Sequence, residues 1–252
     1  MLGGGAAVAV GAAGGFGVTT YGARASARSR ADGATIAEHS SARSVRVLWR
    51  AETDRKVMAL TFDDGPGDQL TRPLLDVLRA EKVRATFCIV GQEASRRRDI
   101  VKQQVADGHE LANHSWSHPD LSLLVPDDLA RELKRTDQLL QELTGRQPRF
   151  IRPPFGRVSG ALFQHAAVNG QDVLMWDVRF REAGLDSAGN VAHVLSTMGP
   201  GTIVLGHDAG RGDRHIGTQA VPGLIREARA RGYEFVTATR MAELDASAPV
   251  PP

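Results

Sequence analysis

Two adjacent carboxylates, Asp63 and Asp64, end the apolar run Val57–Phe62 and are followed at once by Gly65-Pro66. Paired carboxylates at the end of a buried strand are costly unless something uses their charge. The Gly-Pro break lets both side chains turn toward one point despite strand alternation. A metal would take one carboxylate and leave the other free as a base; the alternative use of such a pair is a helix N-cap plus a turn residue. Further along, His114-Ser115-Trp116-Ser117-His118 spaces two imidazoles at i and i+4, the same side of a helical turn, which suits one zinc-like ion. Two histidines and one carboxylate leave a coordination position open for water and substrate, the arrangement of a catalytic site. The HxxxH spacing alone is often incidental. It gains weight by standing just past a strand end in a chain that also offers Asp63-Asp64.

Two more clusters follow. In Arg152-Pro153-Pro154-Phe155-Gly156 the prolines fix the backbone, and the Phe155 amide is free to face a developing oxyanion. Arg152 can pair with a nearby carboxylate, or the stretch is a rigid turn with a surface arginine. In Leu205-Gly206-His207-Asp208, His207 follows the apolar run Ile203–Leu205 and suits a general acid, with a satisfied core histidine as the alternative. Trp116, Phe155, Trp176 and Phe180 are candidate surfaces for stacking a ligand; as core aromatics the two tryptophans have an equally good use. Cys88, the single cysteine, excludes an internal disulfide and reads as a buried strand residue.

The elements that must carry these clusters alternate. Apolar runs predict strands at Val57–Phe62, Arg84–Val90, Glu110–Ala112, Arg149–Arg152, Val173–Val178, Thr202–Leu205 and Glu234–Val236. Between them, helices are predicted at Leu70–Ala80, Ala94–Asp107, Asp127–Leu143, Ser159–Asn169, Val191–Met198 and Val221–Ala230. Such alternation implies a parallel sheet with right-handed crossovers, either a closed or distorted barrel of about seven strands or an open doubly wound sheet. Each polar cluster falls at or just past a strand end, the edge on which parallel α/β folds build their sites.

The 252 residues, 42% of them hydrophobic, are enough for one full core. The net charge of +2 and the lack of any basic run interleaved with aromatics argue against nucleic acid as a partner. Leu2–Val18 is almost wholly apolar or glycine and is followed by Arg24, Arg28 and Arg30. It reads as an export signal or membrane anchor, with a disordered Gly/Ala leader as the alternative. Residues 19–50 lack clear periodicity and read as a linker. The expected organisation is therefore a leader and linker over 1–50, one catalytic domain over 51–246 and a disordered tail over 247–252. A monomer is expected, touching a membrane only through the leader and located outside the cell or anchored in its envelope.

In order and spacing, TFDDG, HSWSH, RPPFG and the strand ending in Leu205-Gly206-His207-Asp208 resemble the polysaccharide deacetylase family, known as the NodB-homology domain or carbohydrate esterase family four. The resemblance implies a distorted (β/α) barrel. It implies Asp63 as catalytic base, Asp64, His114 and His118 as ligands of a divalent metal (commonly zinc, with cobalt or nickel possible), and no further cofactor. It also implies Arg152 as the holder of the base, His207 as general acid and Leu205 as the apolar lining of an acetyl-methyl pocket. Phe155 stands where the family usually has tyrosine, and Gly206 where it has a larger apolar residue. One departure is larger: the family's Asp-Trp pair is missing from Trp176-Asp177-Val178-Arg179-Phe180-Arg181-Glu182. Asp177 or Glu182 is left to supply the carboxylate, and Phe180 the groove wall. The resulting expectation is metal-dependent removal of N-acetyl groups from hexosamines of a cell-envelope or related glycan, with Asp63, His207 and Arg152 catalytic and Phe155, Leu205, Trp116 and Trp176 binding substrate. The alternatives are an O-acetyl ester or cyclic-amide hydrolase on the same scaffold, and a non-catalytic glycan-binding protein.

Overall fold

The computed structural model describes residues 44–210 and 212–246. The leader Leu2–Val18, most of the expected linker and the tail 247–252 lie outside the described residues. In chain order the elements are β1 (Val47–Leu48), β2 (Val57–Asp63), α1 (Thr71–Ala80), β3 (Thr86–Ile89), α2 (Gly91–Arg96), α3 (Arg98–Ala106), β4 (Glu110–Asn113), α4 (Pro126–Thr144) and β5 (Phe150–Ile151). They continue with α5 (Gly160–Asn169), β6 (Asp172–Leu174), β7 (Val178–Arg179), α6 (Ser187–Thr197), β8 (Thr202–His207), α7 (Arg214–Ala230), β9 (Glu234–Phe235) and α8 (Ala238–Leu244).

Every strand pairing is parallel, in the order β1-β6-β5-β4-β3-β2-β8-β7, with β9 beside the first residues of β2. The end strands β1 and β7 are not paired, so the sheet is a curled, incompletely closed barrel. This is the distorted (β/α) barrel, with nine strands among the described residues rather than about seven. One addition is β1, too short for periodicity to reveal. It is held by Val173 N–H on the Arg46 carbonyl and Met175 N–H on the Leu48 carbonyl, each at 2.8 Å. The folded unit thus reaches upstream of residue 51 into the expected linker. The other addition arises because the predicted strand Val173–Val178 divides. Met175 still donates to the β1 side, whereas Asp177 N–H donates to the Ile203 carbonyl of β8. At Trp176 the chain crosses from β6, beside the end strand β1, to the opposite end strand β7.

All seven residues of β2 are buried and five of them, Val57–Leu60 and Phe62, are apolar, as expected of a parallel strand covered on both faces. Phe62 and Phe87, ring centroids 5.5 Å apart, lie in the main core with Leu74, Leu78, Ile100 and Leu224. α4 begins with Pro126, carries Asp127 and Asp128 in its first turn and stops at the left-handed Gly145. The predicted helix Ala94–Asp107 is instead two helices, α2 and α3, broken at Arg97 (φ −130°, ψ 49°), whose guanidinium is tied to Asp68 and Glu93. No helix among the described residues is long and apolar enough to cross a membrane.

Candidate active site

The C-terminal edge of the sheet gathers the four clusters. Asp63 ends β2 and lies in register with His207, which ends β8, so the two side chains start from neighbouring strands at one level. After Asp63 the backbone turns sharply: Asp64 has φ 74°. Gly65 then passes so close to Asp208 that a Cβ there would stand 2.3 Å from both carboxylate oxygens. Only glycine fits, which explains the third position of the Asp-Asp-Gly run.

The two histidines are not on a helical turn. His114 follows β4 in an irregular loop in which Ser115 (φ 66°) and His118 (φ 62°) are both left-handed. Asn113 Oδ1 accepts the Ser115 N–H at 2.8 Å, Ser115 Oγ accepts that of His118 at 3.0 Å, and Glu132 accepts those of Trp116 and Ser117. The imidazoles still converge, with ring centroids 4.9 Å apart. His114 Nε2 is 3.5 Å, and His118 Nε2 3.1 Å, from Asp64 Oδ1. Of the five non-glycine residues with positive φ among the described residues, four, Asp64, Ser115, His118 and Phe155, stand in these site loops. Costly backbone conformations concentrate where geometry must be imposed.

One ligand atom from each of Asp64, His114 and His118 lies within 4.8 Å of the others. The donor set suits a divalent cation of the zinc type. His114 is also turned for the purpose: its Nδ1–H donates to the Arg152 carbonyl at 2.7 Å, leaving Nε2 to face Asp64. Burial opposes charge on Asp64, yet His114, His118 and Arg214 outweigh it and hold the carboxyl well below its ordinary range.

Arg152 is fully buried. Its Nη1 donates to Asp63 Oδ1 at 2.7 Å and to Thr61 Oγ1 at 2.8 Å, Nη2 to the Met175 carbonyl at 2.8 Å, and Nε to that of Leu174 at 3.2 Å. Burial alone would raise the Asp63 carboxyl; Arg152, His114 and His207 overcome it and keep the group below its usual value.

His207 Nδ1 donates to Glu182, 3.0 Å from each carboxylate oxygen. Asp177, the other candidate, accepts instead from Ile203 N–H at 2.7 Å and Thr202 Oγ1 at 3.2 Å. Parallel strands advance together, so Asp177 stands level with Ile203, about 13 Å short of His207 at 3.3 Å per residue. Phe180 is no exposed wall. It is buried, and a Cβ on Gly206 would lie 3.0 Å from its ring, so the small residue in β8 makes room for the large one.

A cleft of about 870 Å³ is lined by Asp63, Asp64, His114, His118 and His207, and also by Phe155, Trp176 and Leu205. Phe155 is exposed, packs edge-on against His118 at 4.8 Å, and its N–H has no partner among the described residues. Trp116 does not line the cleft. It packs over Gly91 beside Thr136, with the Arg135 guanidinium 3.6 Å from its ring centroid. Three cleft arginines escaped the sequence reading. Arg214, at the start of α7, meets Asp64 Oδ2 at 2.5 Å as an ion pair, and Arg179 and Arg181 flank Phe180. Arg179 and Arg181 alternate with the apolar Val178 and Phe180, a signal the sequence does carry; nothing local marks Arg214.

A family profile described as polysaccharide deacetylase matches residues 50–174. A peptidoglycan-N-acetylglucosamine deacetylase of Bacillus cereus is 32% identical over 200 residues, covering 77% of this chain and 92% of its own. Among solved structures, a peptidoglycan N-acetylglucosamine deacetylase in complex with a naphthalenyl N-hydroxybenzamide is similar with a TM-score of 0.75 at 30% identity, over 77% of this chain and 92% of that one. A family 4 acetyl xylan esterase from Clostridium thermocellum, in complex with a cobalt ion, is similar with a TM-score of 0.68 at 34% identity, over 75% and 91% respectively.

Proposed function

This chain belongs to the polysaccharide deacetylase family, and we propose that it hydrolyses N-acetyl groups on hexosamine residues of a cell-envelope glycan. The observation that carries the reading is the convergence of Asp64, His114 and His118 on one point beside Asp63, a second carboxylate held by a buried arginine. A divalent ion held by Asp64, His114 and His118, zinc by donor set with cobalt or nickel as substitutes, supplies Lewis acidity and an activated water when bound. Asp63 takes the proton from the attacking water. Arg152 occupies its Oδ1 and keeps it ionised, leaving Oδ2 for that proton. The Phe155 N–H faces the developing oxyanion, where one donor is worth about 3 kcal/mol. His207 gives a proton to the departing sugar nitrogen, and Glu182 on Nδ1 orients the ring and stabilises its charged form. The C–N bond breaks as the water oxygen bonds to carbon, releasing acetate and a free amine. Leu205 and Trp176 bound the space for the acetyl group and its sugar.

The Glu182 carboxylate on His207 supports catalysis over a purely glycan-binding role, since it stands in for the aspartate of the missing Asp-Trp pair. The test is acetate release from chitotetraose, peptidoglycan and acetylxylan, with and without chelator, by the wild type and by His114→Ala. Release from the first two, and its loss with bound zinc in the variant, is expected. Undiminished release by His114→Ala refutes the assignment; release from acetylxylan alone makes the protein an esterase.

A further inference from the structure

The cleft holds more positive charge than hydrolysis uses. Each of its four carboxylates is engaged within the protein: Asp63 by Arg152, Asp64 by His118 and Arg214, Asp177 by the Ile203 N–H, and Glu182 by His207. Arg179 and Arg181 line the same cleft, and among the described residues neither guanidinium has an ion pair or hydrogen bond. They are exposed, whereas Val178 before them and Phe180 between them are buried, so alternation points both arginines the same way. His193 of α6 also lines this wall, and its imidazole is pushed below its usual value by burial and then by Arg181 and Arg179. Among the described residues no carboxylate lies within ion-pair distance of either guanidinium. On the other side of the metal ligands, an adjoining hollow that shares Asp64 and His118 contains Asp68, Glu93 and Arg97, and there the arginine is paired with both acids. The cleft therefore has one end at which two guanidinium groups stand without partners among the described residues. Its positive end begins at Arg179, which is in register with Leu205, two residues before His207.

Guanidinium groups left free at the wall of a binding cleft match carboxylate or phosphate oxygens, and they favour anionic substrates over neutral ones. Building on the deacetylase reading, we propose that Arg179 and Arg181 form an anion-binding subsite. The preferred glycan then carries a carboxylate or phosphate on the acetylated sugar or its immediate neighbour. The arginines are specificity determinants; they take no part in bond breaking.

The test compares zinc-loaded wild type with the double variant Arg179→Gln, Arg181→Gln on three substrates of equal length. These are neutral chitotetraose, 6-O-phosphorylated chitotetraose, and a tetrasaccharide alternating N-acetylglucosamine with N-acetylmuramic acid, whose lactyl groups are carboxylates. For at least one anionic substrate the variant is expected to raise KM about tenfold to a hundredfold with kcat held within about twofold, and to leave chitotetraose unchanged. Which anionic substrate suffers identifies the group read. Equal effects on all three substrates, or no effect on any, overturn the proposal. Calorimetric binding of the same oligosaccharides to zinc-free protein separates this question from turnover. If no acetate is released by the wild type, the deacetylase reading fails; the subsite still stands or falls on whether anionic binding weakens in the variant while neutral binding does not.

Discussion

Breaking the Arg152–Asp63 pair tests the electrostatics of the site without relying on turnover. Both groups are buried, and Arg152 also serves Thr61 and two backbone carbonyls. Arg152→Met keeps most of the volume but leaves Asp63 ionised without a counter-charge and strands both carbonyls. Removing one partner of such a pair costs about 3–5 kcal/mol, so about 4 is expected here. Asp63→Asn leaves the guanidinium buried and unpaired at a cost of about 3 kcal/mol, its other three acceptors being intact. The double variant has no unpaired charge. It is expected to lose only about 3–4 kcal/mol, half the sum of the single costs, which gives a coupling of the same size. Urea unfolding of the four proteins in chelator, followed by circular dichroism, measures the cycle. If the double variant loses the full sum within about 0.5 kcal/mol, the two groups do not sustain one another and the account of the base is wrong.

Other outcomes follow from neighbouring contacts. Glu182→Ala is expected to lower kcat about tenfold to a hundredfold with KM nearly unchanged, because His207, the proposed general acid, loses the carboxylate on its Nδ1; steady-state kinetics on chitotetraose check this. Gly206→Ala places a methyl 3.0 Å from Phe180 and 3.1 Å from Phe62 and should cost about 1–3 kcal/mol by thermal unfolding, a loss relieved by adding Phe180→Leu. Burial lifts the Asp137 carboxyl to about 6 despite bonds from Asn113 and Gln171. Its folded pKa exceeds its unfolded one, so the stability it contributes is full below about pH 4 and is lost as pH rises through 6. The loss is of order 3 kcal/mol, and Asp137→Asn should flatten that stretch of the stability curve.

The strands that bear the chemistry were legible because they are long apolar runs with a polar break at the end; β2 and β8 lie close to where periodicity puts them. The shorter pieces were not. Two-residue β1 has no period, and the β6–β7 crossing at Trp176 changes partners without any change in residue character. Within the site, residue types marked Asp63, Asp64, His114, His118 and His207, but the helical turn assumed for the histidines is a loop held by Asn113, Ser115 and Glu132. Side chains meet there through backbone conformations that spacing does not encode. The choice between Asp177 and Glu182 needed the register of β7 on β8, a long-range fact. Of the two uses the sequence leaves open for Trp116, its packing under Arg135 favours the core one, and a tryptophan beside a site looks alike from sequence whether it faces ligand or an arginine.

Arg46 Nη2 reaches Asp245 Oδ2 at 2.8 Å, and the other oxygen of that carboxylate receives the Glu52 N–H at 2.8 Å. The first strand is thus buckled to the residue that closes α8. A truncated protein begun at residue 50, where the family profile starts, would lose this buckle together with β1. It would bare the edge of β6 as a template for strand addition by other molecules, so recombinant forms begun at or before Ser44 should remain dispersed where shorter ones clump.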